Sequence, residues 1–370
     1  MKVRTALVKL QIILIIVFVL CSCSGKKELF VFGESETFHA SLLEIFPQED
    51  NITICRIKNP WREGEYLAQY ALVPKSLGEI KTESIEERFG KSIVLRTPLD
   101  KITLTSACHA YLLNQIGAID NVKVMCDAEY VINDELKQII SSGKIVSAGS
   151  SMNPTVEVIL SQGSDSFWMN PFESTTESFI STFPLPLIYC ADYMETTPLG
   201  RAEWMRFYGL LVDKKNESDS LFAIVEKNYE AIKNENKQHK SLFAELPYQS
   251  TWYVPGGNST MGIMYKDAGF DYVWADDSHS GSLALSPEAV LHEAHDADIW
   301  VIKYMSDKDW TKEDLLSQDK LYSQFKAAKD GEIFGCNTML TDFYDVTPFR
   351  PDILLDELNS LGKHYFKKIE

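Results

Sequence analysis

The rhythm of apolar and polar positions changes three times along the chain. Residues 12–20 are unbroken apolar and follow the positive Lys2, Arg4 and Lys9. A membrane span needs about 20 apolar residues, so this shorter run predicts an export signal. Residues 29–97 then read as extended chain, with β-formers at 51–57, 66–72 and 92–96 between polar, Pro or Gly breaks. From residue 100 strands and helices alternate: a strand at 102–105, a helix at 107–116 stopped by Gly117, and a strand at 122–125.

That order recurs. Residues 251–254 predict a strand, 255–258 a loop, 259–268 a helix ended by Gly269, and 272–274 another strand. A second phrase is also duplicated. Asn153, Pro154 and Glu157 precede Asp165 to Trp168, while Ser286, Pro287 and Glu288 precede Asp298 to Trp300. In each, a capping residue, a Pro at the first helical position and a Glu in the first turn predict a helix start. Two matched phrases in one order predict a pair of similar α/β lobes. Between them, residues 216–240 contain no Gly or Pro and place Leu221, Ile224, Val225, Tyr229 and Ile232 at helical spacing. A helix of that length spans about 38 Å, enough to bridge two lobes.

Composition narrows the function. With 370 residues, 45% apolar and 24% charged, the chain is a folded protein of about two domains rather than a disordered or multi-span one. A net charge of −17 argues against duplex nucleic acid and against broad attraction to anionic lipid. Leu20-Cys21-Ser22-Cys23 resembles a bacterial lipobox, which makes Cys23 the lipidated N-terminus after cleavage. Losing residues 1–22 removes three positive charges and no negative one, leaving −20. No acidic run follows Cys23, so the expected location is the periplasmic side of a membrane, held by the lipid anchor alone. The remaining Cys55, Cys108, Cys126, Cys190 and Cys336 have no paired spacing and read as small buried hydrophobes, with one bridge left open.

Catalytic signatures are missing. The chain has no G-x-S-x-G, no P-loop and no zinc Cys cluster. His292 and His295 are three apart rather than the four that a zinc-protease helix requires, so no metal site is expected.

The lipobox, the two α/β lobes and the intervening helix together resemble the class III substrate-binding proteins of bacterial ABC importers. Those carry ferric siderophores, vitamin B12 or haem. The phrases that carry the resemblance lie at 102–106 with 112–117, 153–160 before Asp165, 198–209, 286–291 before Asp298, and 327–334. They cover roughly residues 98–361. Ser164 stands where the family has Pro before Asp, and the segment before residue 98 is longer than the family minimum.

The resemblance implies two Rossmann-like α/β lobes joined by a single long interdomain helix, with an extended β-rich N-terminal segment. The expected boundaries are a signal peptide at 1–22, a tether at 23–28, the β-rich extension at 29–97 packed on lobe one, lobe one at 98–200, a helical strut at 201–240 and lobe two at 241–370. The implied partners are an ABC permease, its ATPase subunits and a small-molecule metal chelate, with the protein a monomer. No cofactor is implied. The cargo is expected to be a ferric siderophore, with corrinoid (cobalamin) and haem as alternatives, and a periplasmic hydrolase or chelatase as a further one. In the family one surface Glu per lobe docks on permease Arg residues, and phrase matching selects Glu157 and Glu288.

A ligand is expected at the loops that follow the strands, where α/β sheets leave crevices. In lobe one these hold Ser106, His109, Asp127, Tyr130, Ser150, Asn170 and Phe172. In lobe two they hold Pro255, Gly256, Gly257, Asn258, Ser259, Asp276, His279, Lys303, Tyr304 and Tyr344. The Gly pair would let backbone N–H groups approach an oxygen-rich ligand. Trp168, Trp252, Tyr253, Trp274 and Trp300 read mostly as core, and Trp61, on a turn, as a possible wall of the cleft.

Overall fold

The computed structural model describes residues 32–174, 182–235 and 239–370. The signal segment and Cys23 lie outside these. The N-terminal part is a four-stranded sheet of β1 (Leu43–Pro47), β2 (Thr53–Lys58), β3 (Tyr66–Pro74) and β4 (Ile93–Thr97), in that order. The first three strands are antiparallel, and β4 joins β3 in parallel after the helix Thr82–Phe89. The stretch expected to be extended throughout therefore contains a helix. Its buried Ile85 and Phe89 cover one sheet face together with Ile54, Ala71 and Val73. The alternate residues Ile45, Cys55, Ile57, Tyr70 and Leu72 face the other way, into the main core, as strand period two requires.

Lobe one has β5 (Ile102–Leu104), β6 (Val122–Met125), β7 (Val146–Ser147), β8 (Ser166–Met169) and β9 (Leu187–Tyr189). Its all-parallel order is β7-β6-β5-β8-β9. The N-terminal sheet is tied to its edge by Tyr70, whose hydroxyl donates to Leu187 O at 3.0 Å and accepts from Tyr189 N at 3.0 Å. Two buried carboxylates complete that attachment. Glu203 accepts the backbone N–H groups of Phe38, His39 and Ala40, and Glu195 accepts those of Ser41 and Leu42.

Lobe two contains β10 (Ser241–Ala244), β11 (Pro247–Tyr248), β12 (Thr251–Pro255), β13 (Asp271–Tyr272), β14 (Ser282–Leu285), β15 (Ile299–Tyr304), β16 (Ile333–Asn337) and β17 (Lys367–Lys368). One sheet runs β13-β10-β15-β16-β17, parallel except at β17. The expected repeat holds only in part. Residues 251–254 do not form the counterpart of β5; β12 belongs to a separate antiparallel sheet, β11-β12-β14. The helix-stop glycines do correspond, since Gly117 and Gly269 both have positive φ, 71° and 82°. The second phrase corresponds too. Asp165 and Asp298, each just before a central strand, accept backbone N–H groups at the entry to the neighbouring strand, from Asp100 at 2.7 Å and Ser241 at 2.9 Å. The cap differs between the copies: Ser286 caps Pro287–Ala294, whereas the lobe-one helix starts later, at Val156, with no side-chain cap from Thr155.

The intervening helix is Lys215–Glu235, about 32 Å long at 1.5 Å per residue. Val225 and Tyr229 face inward, and the Tyr229 hydroxyl donates to Asp267 of lobe two at 2.7 Å. It joins the lobes but is not their only link. After β16 the chain returns to lobe one: Asp345 accepts the N–H groups of Ile132 and Asn133, both at 2.8 Å, and Phe349 packs on His109. Asn228 on the long helix then donates to Asp352 at 3.2 Å. Among the described residues no helix is long and apolar enough to cross a membrane, and the five cysteines are buried free thiols.

Candidate functional site

In each parallel sheet the chain order reverses beside the first strand, between β5 and β8 in lobe one and between β10 and β15 in lobe two. Such reversals leave a crevice beyond the carboxyl ends of the strands. In lobe two that crevice is marked by an ion pair. Glu245, one residue past β10 with φ 70°, holds Lys303 near the end of β15. Burial alone would push the lysine pKa down, but Glu245, aided by the nearby phenols of Tyr265 and Tyr344, holds it above its ordinary value.

The facing wall comes from the segment after β9. Arg201 sits in the helix Pro198–Glu203, which Thr197 caps. Its Nε donates to Asp192 Oδ2 at 3.1 Å. Asp192 is wholly buried and is also held by His109 Nε2 at 2.9 Å and the Tyr208 hydroxyl at 2.8 Å. Burial pushes its carboxyl up, but His109, Arg201 and Tyr208 together outweigh that and keep it below the usual range. The Arg201 guanidinium is anchored at one N–H, with further N–H donors beyond that bond.

Between these walls lies a cleft of 690 Å³. Tyr193, Glu195 and Arg201 line it from lobe one, and Glu245, Tyr248, Tyr253, Met261 and Lys303 from lobe two. Its lobes are stitched by Thr260, whose hydroxyl donates to Glu195 O at 3.1 Å. Tyr248 and Tyr253 are 70% and 47% exposed, so the cleft presents aromatic faces beside its charges.

Of the residues selected from sequence, Pro255, Ser259 and Lys303 line this cleft, and Tyr344 lines a smaller chamber that shares Arg201 and Lys303 with it. The others are placed elsewhere. His109 is a core residue, 2% exposed and bonded to Asp192 and Tyr208. Tyr304 is buried, stacks on Trp310 with centroids 4.2 Å apart, and accepts Trp310 N. The Gly256 N–H is taken by Gly281 O at 2.9 Å, and the 274–281 loop presses on both glycines. A Cβ would meet His279 O at 2.3 Å from Gly256 and Ala275 O at 2.4 Å from Gly257. Ser259 is spent as a cap, accepting from Gly262 N and donating to Gly256 O. Asn258 bonds Ser278 O, and exposed His279 pairs with Asp277.

In lobe one, Ser106 contacts Cys108 Sγ, Asp127 accepts Ser151 N, and Tyr130 and Phe172 are exposed. None of these, nor Ser150, Asn170 or Asp276, lines the cleft. The Phe172 ring lies 6.4 Å from that of Tyr193, which does line it. Trp61 lines a separate cavity on the N-terminal sheet with Leu42, Lys58 and Tyr66. Trp168, Trp252, Trp274 and Trp300 are core, but Tyr253 faces out. Its strand alternates, Trp252 in and Tyr253 out, a signal that could have found it. Arg201 was visible only as part of a family phrase.

Glu157 and Glu288 are both exposed in the first turns of their helices. Among the described residues no group of His, Cys, Asp or Glu side chains is placed to hold a metal ion.

Residues 187–338 match the model of a periplasmic binding protein family. An uncharacterized lipoprotein of Methanocaldococcus jannaschii is 28% identical over 299 residues, 76% of this chain and 70% of that protein. An ABC-type Fe3+-hydroxamate transport protein from Saccharomonospora viridis superposes with a TM-score of 0.57 at 19% identity, covering 73% of this chain and 95% of the other. A periplasmic catecholate-siderophore binding protein from Vibrio cholerae gives 0.55 at 17% identity, over 72% and 95%. A periplasmic haem binding protein from the same species gives 0.54 at 12% identity, over 70% and 98%. The match to the periplasmic binding protein model thus runs across the junction of the lobes, and the chain shares the two-lobed α/β fold of these solved proteins.

Proposed function

We propose that this protein is the lipid-anchored substrate-binding component of an ABC importer, taking a ferric siderophore into the cleft and handing it to a permease served by an ATPase. The observation that carries this reading is Arg201, a charged donor on the cleft wall opposite the Lys303–Glu245 pair, with Tyr193, Tyr248 and Tyr253 beside them. Oxygen-rich anionic chelates call for this combination of cationic donors and aromatic faces. Similarity to proteins named for hydroxamate and catecholate siderophores points the same way. Similarity to a lipoprotein supports anchoring through Cys23. The exposed pair Glu157 and Glu288 supplies one carboxylate per lobe for permease arginines.

A haem or corrinoid cargo is the second reading, favoured by the exposed rings of Tyr248, Tyr253 and Tyr344, which suit a planar macrocycle. The test is fluorescence titration of the purified protein with ferric hydroxamate, ferric catecholate, haemin and cobalamin. Saturable one-to-one quenching by an iron chelate, with the chelate recovered unchanged, supports the carrier. Chemical conversion of the chelate, or no binding of any of them, contradicts it.

A further inference from the structure

Beside the cleft, sharing Arg201, Thr260, Met261 and Lys303 with it, lies a smaller chamber of 160 Å³. Its inner wall is carbon, from Pro198, Met264, Phe343, Pro348, Pro351 and Leu354. These residues come from three places that meet at the joint of the lobes: the helix that bears Arg201, the lobe-two helix Thr260–Asp267, and the C-terminal segment that returns to lobe one. A polar group driven into such a wall would lose its hydrogen bonds to water without replacement. An apolar cavity of about 150 Å³ holds one benzene ring.

We propose that this chamber is a subsite for a single aromatic ring on an arm of the cargo, whose oxygen-rich head stays in the cleft within reach of Arg201 and Lys303. The proposal rests on the cleft being the cargo site and adds that the cargo is amphiphilic. Because the chamber walls belong to both sides of the joint, a ring seated there packs the lobes together from inside.

Benzene alone is the probe, so the test needs no chelate. The purified full chain, labelled with 13C at methionine methyls, is titrated with benzene. The Met261 and Met264 methyl signals shift saturably, while that of Met305, 70% exposed just past β15, does not. Met261→Trp, which fills the chamber from the cleft side, weakens the Met264 response by about tenfold or more. Should that variant fail to fold, Thr347→Leu plugs the chamber from the opposite wall. A uniform unsaturable drift of all methionine signals, or an unchanged response in both plugged variants, overturns the subsite. Chelate binding without a benzene response removes the chamber and leaves the carrier standing; a benzene response without chelate binding does the reverse.

Discussion

Arg201 Nε donates to Asp192 Oδ2 at 3.1 Å, so a guanidinium that lines the cleft is braced by a carboxylate sealed inside lobe one. The brace continues inward through His109 and Tyr208, which makes cargo recognition depend on a core network. Asp192→Asn keeps the size and deletes the charge. It should cost about 3 kcal/mol, the range for breaking a buried pair, measured by urea denaturation. Chelate affinity should fall with it. The pH sign follows from the depressed carboxyl: its stabilisation is complete above the ordinary carboxylate value of 3.8 and is lost as pH drops further.

Asp298 allows a cleaner acid-limb measurement. Lys326 Nζ at 2.6 Å, the largest influence, and Ser241 hold its carboxyl down to about 2. The stabilisation is therefore present above 3.8 and disappears as pH falls toward about 2. Asp298→Asn should flatten the slope of Tm against pH in that window and leave the slope at neutral pH unchanged.

The Gly-Gly turn is tightly packed against backbone. A Cβ on Gly257 would sit 2.4, 2.5 and 2.7 Å from three backbone oxygens, those of Ala275, Asp277 and Trp274. Gly257→Ala should destabilise the protein by about 2–3 kcal/mol, because backbone cannot step aside as a side chain can. Chelate affinity of the fraction that folds, read by titration at low temperature, should change little.

Charge reversal at the exposed carboxylates separates binding from delivery. Glu157→Arg with Glu288→Arg should leave chelate affinity and Tm within error, since both side chains face solvent. Uptake in cells that depend on this protein should collapse, and uptake at the wild-type rate would remove these two residues from permease docking.

Much of the lobe architecture was legible because local signals and tertiary packing agreed. The helix at 107–116 and the long helix lacking Gly and Pro are present as Ala107–Gln115 and Lys215–Glu235, and Gly117 and Gly269 stop helices by adopting positive φ. The strand at 251–254 was assigned to the wrong sheet for a physical reason. Its alternation, Trp252 in and Tyr253 out, is that of an antiparallel strand with one face open, whereas the central parallel strand is buried throughout from Ile299 to Ile302. The site was less legible. Position after a strand selects residues near a crevice but cannot tell which are captured by distant partners. His109 is taken by Asp192 and Tyr208, 83 and 99 residues away. Arg201 was hidden for the complementary reason: it lies inside a helix, and only the fold turns that helix toward lobe two.

The most direct test is titration of wild type and Arg201→Glu with a ferric siderophore, each held well below its own Tm because the variant also loses the Asp192 contact. If the cleft holds an anionic chelate on Arg201, the wild type saturates at one equivalent and the variant loses about 2–3 kcal/mol of affinity, the cost of a charge-assisted bond turned repulsive. Equal affinity in two folded proteins would contradict the account.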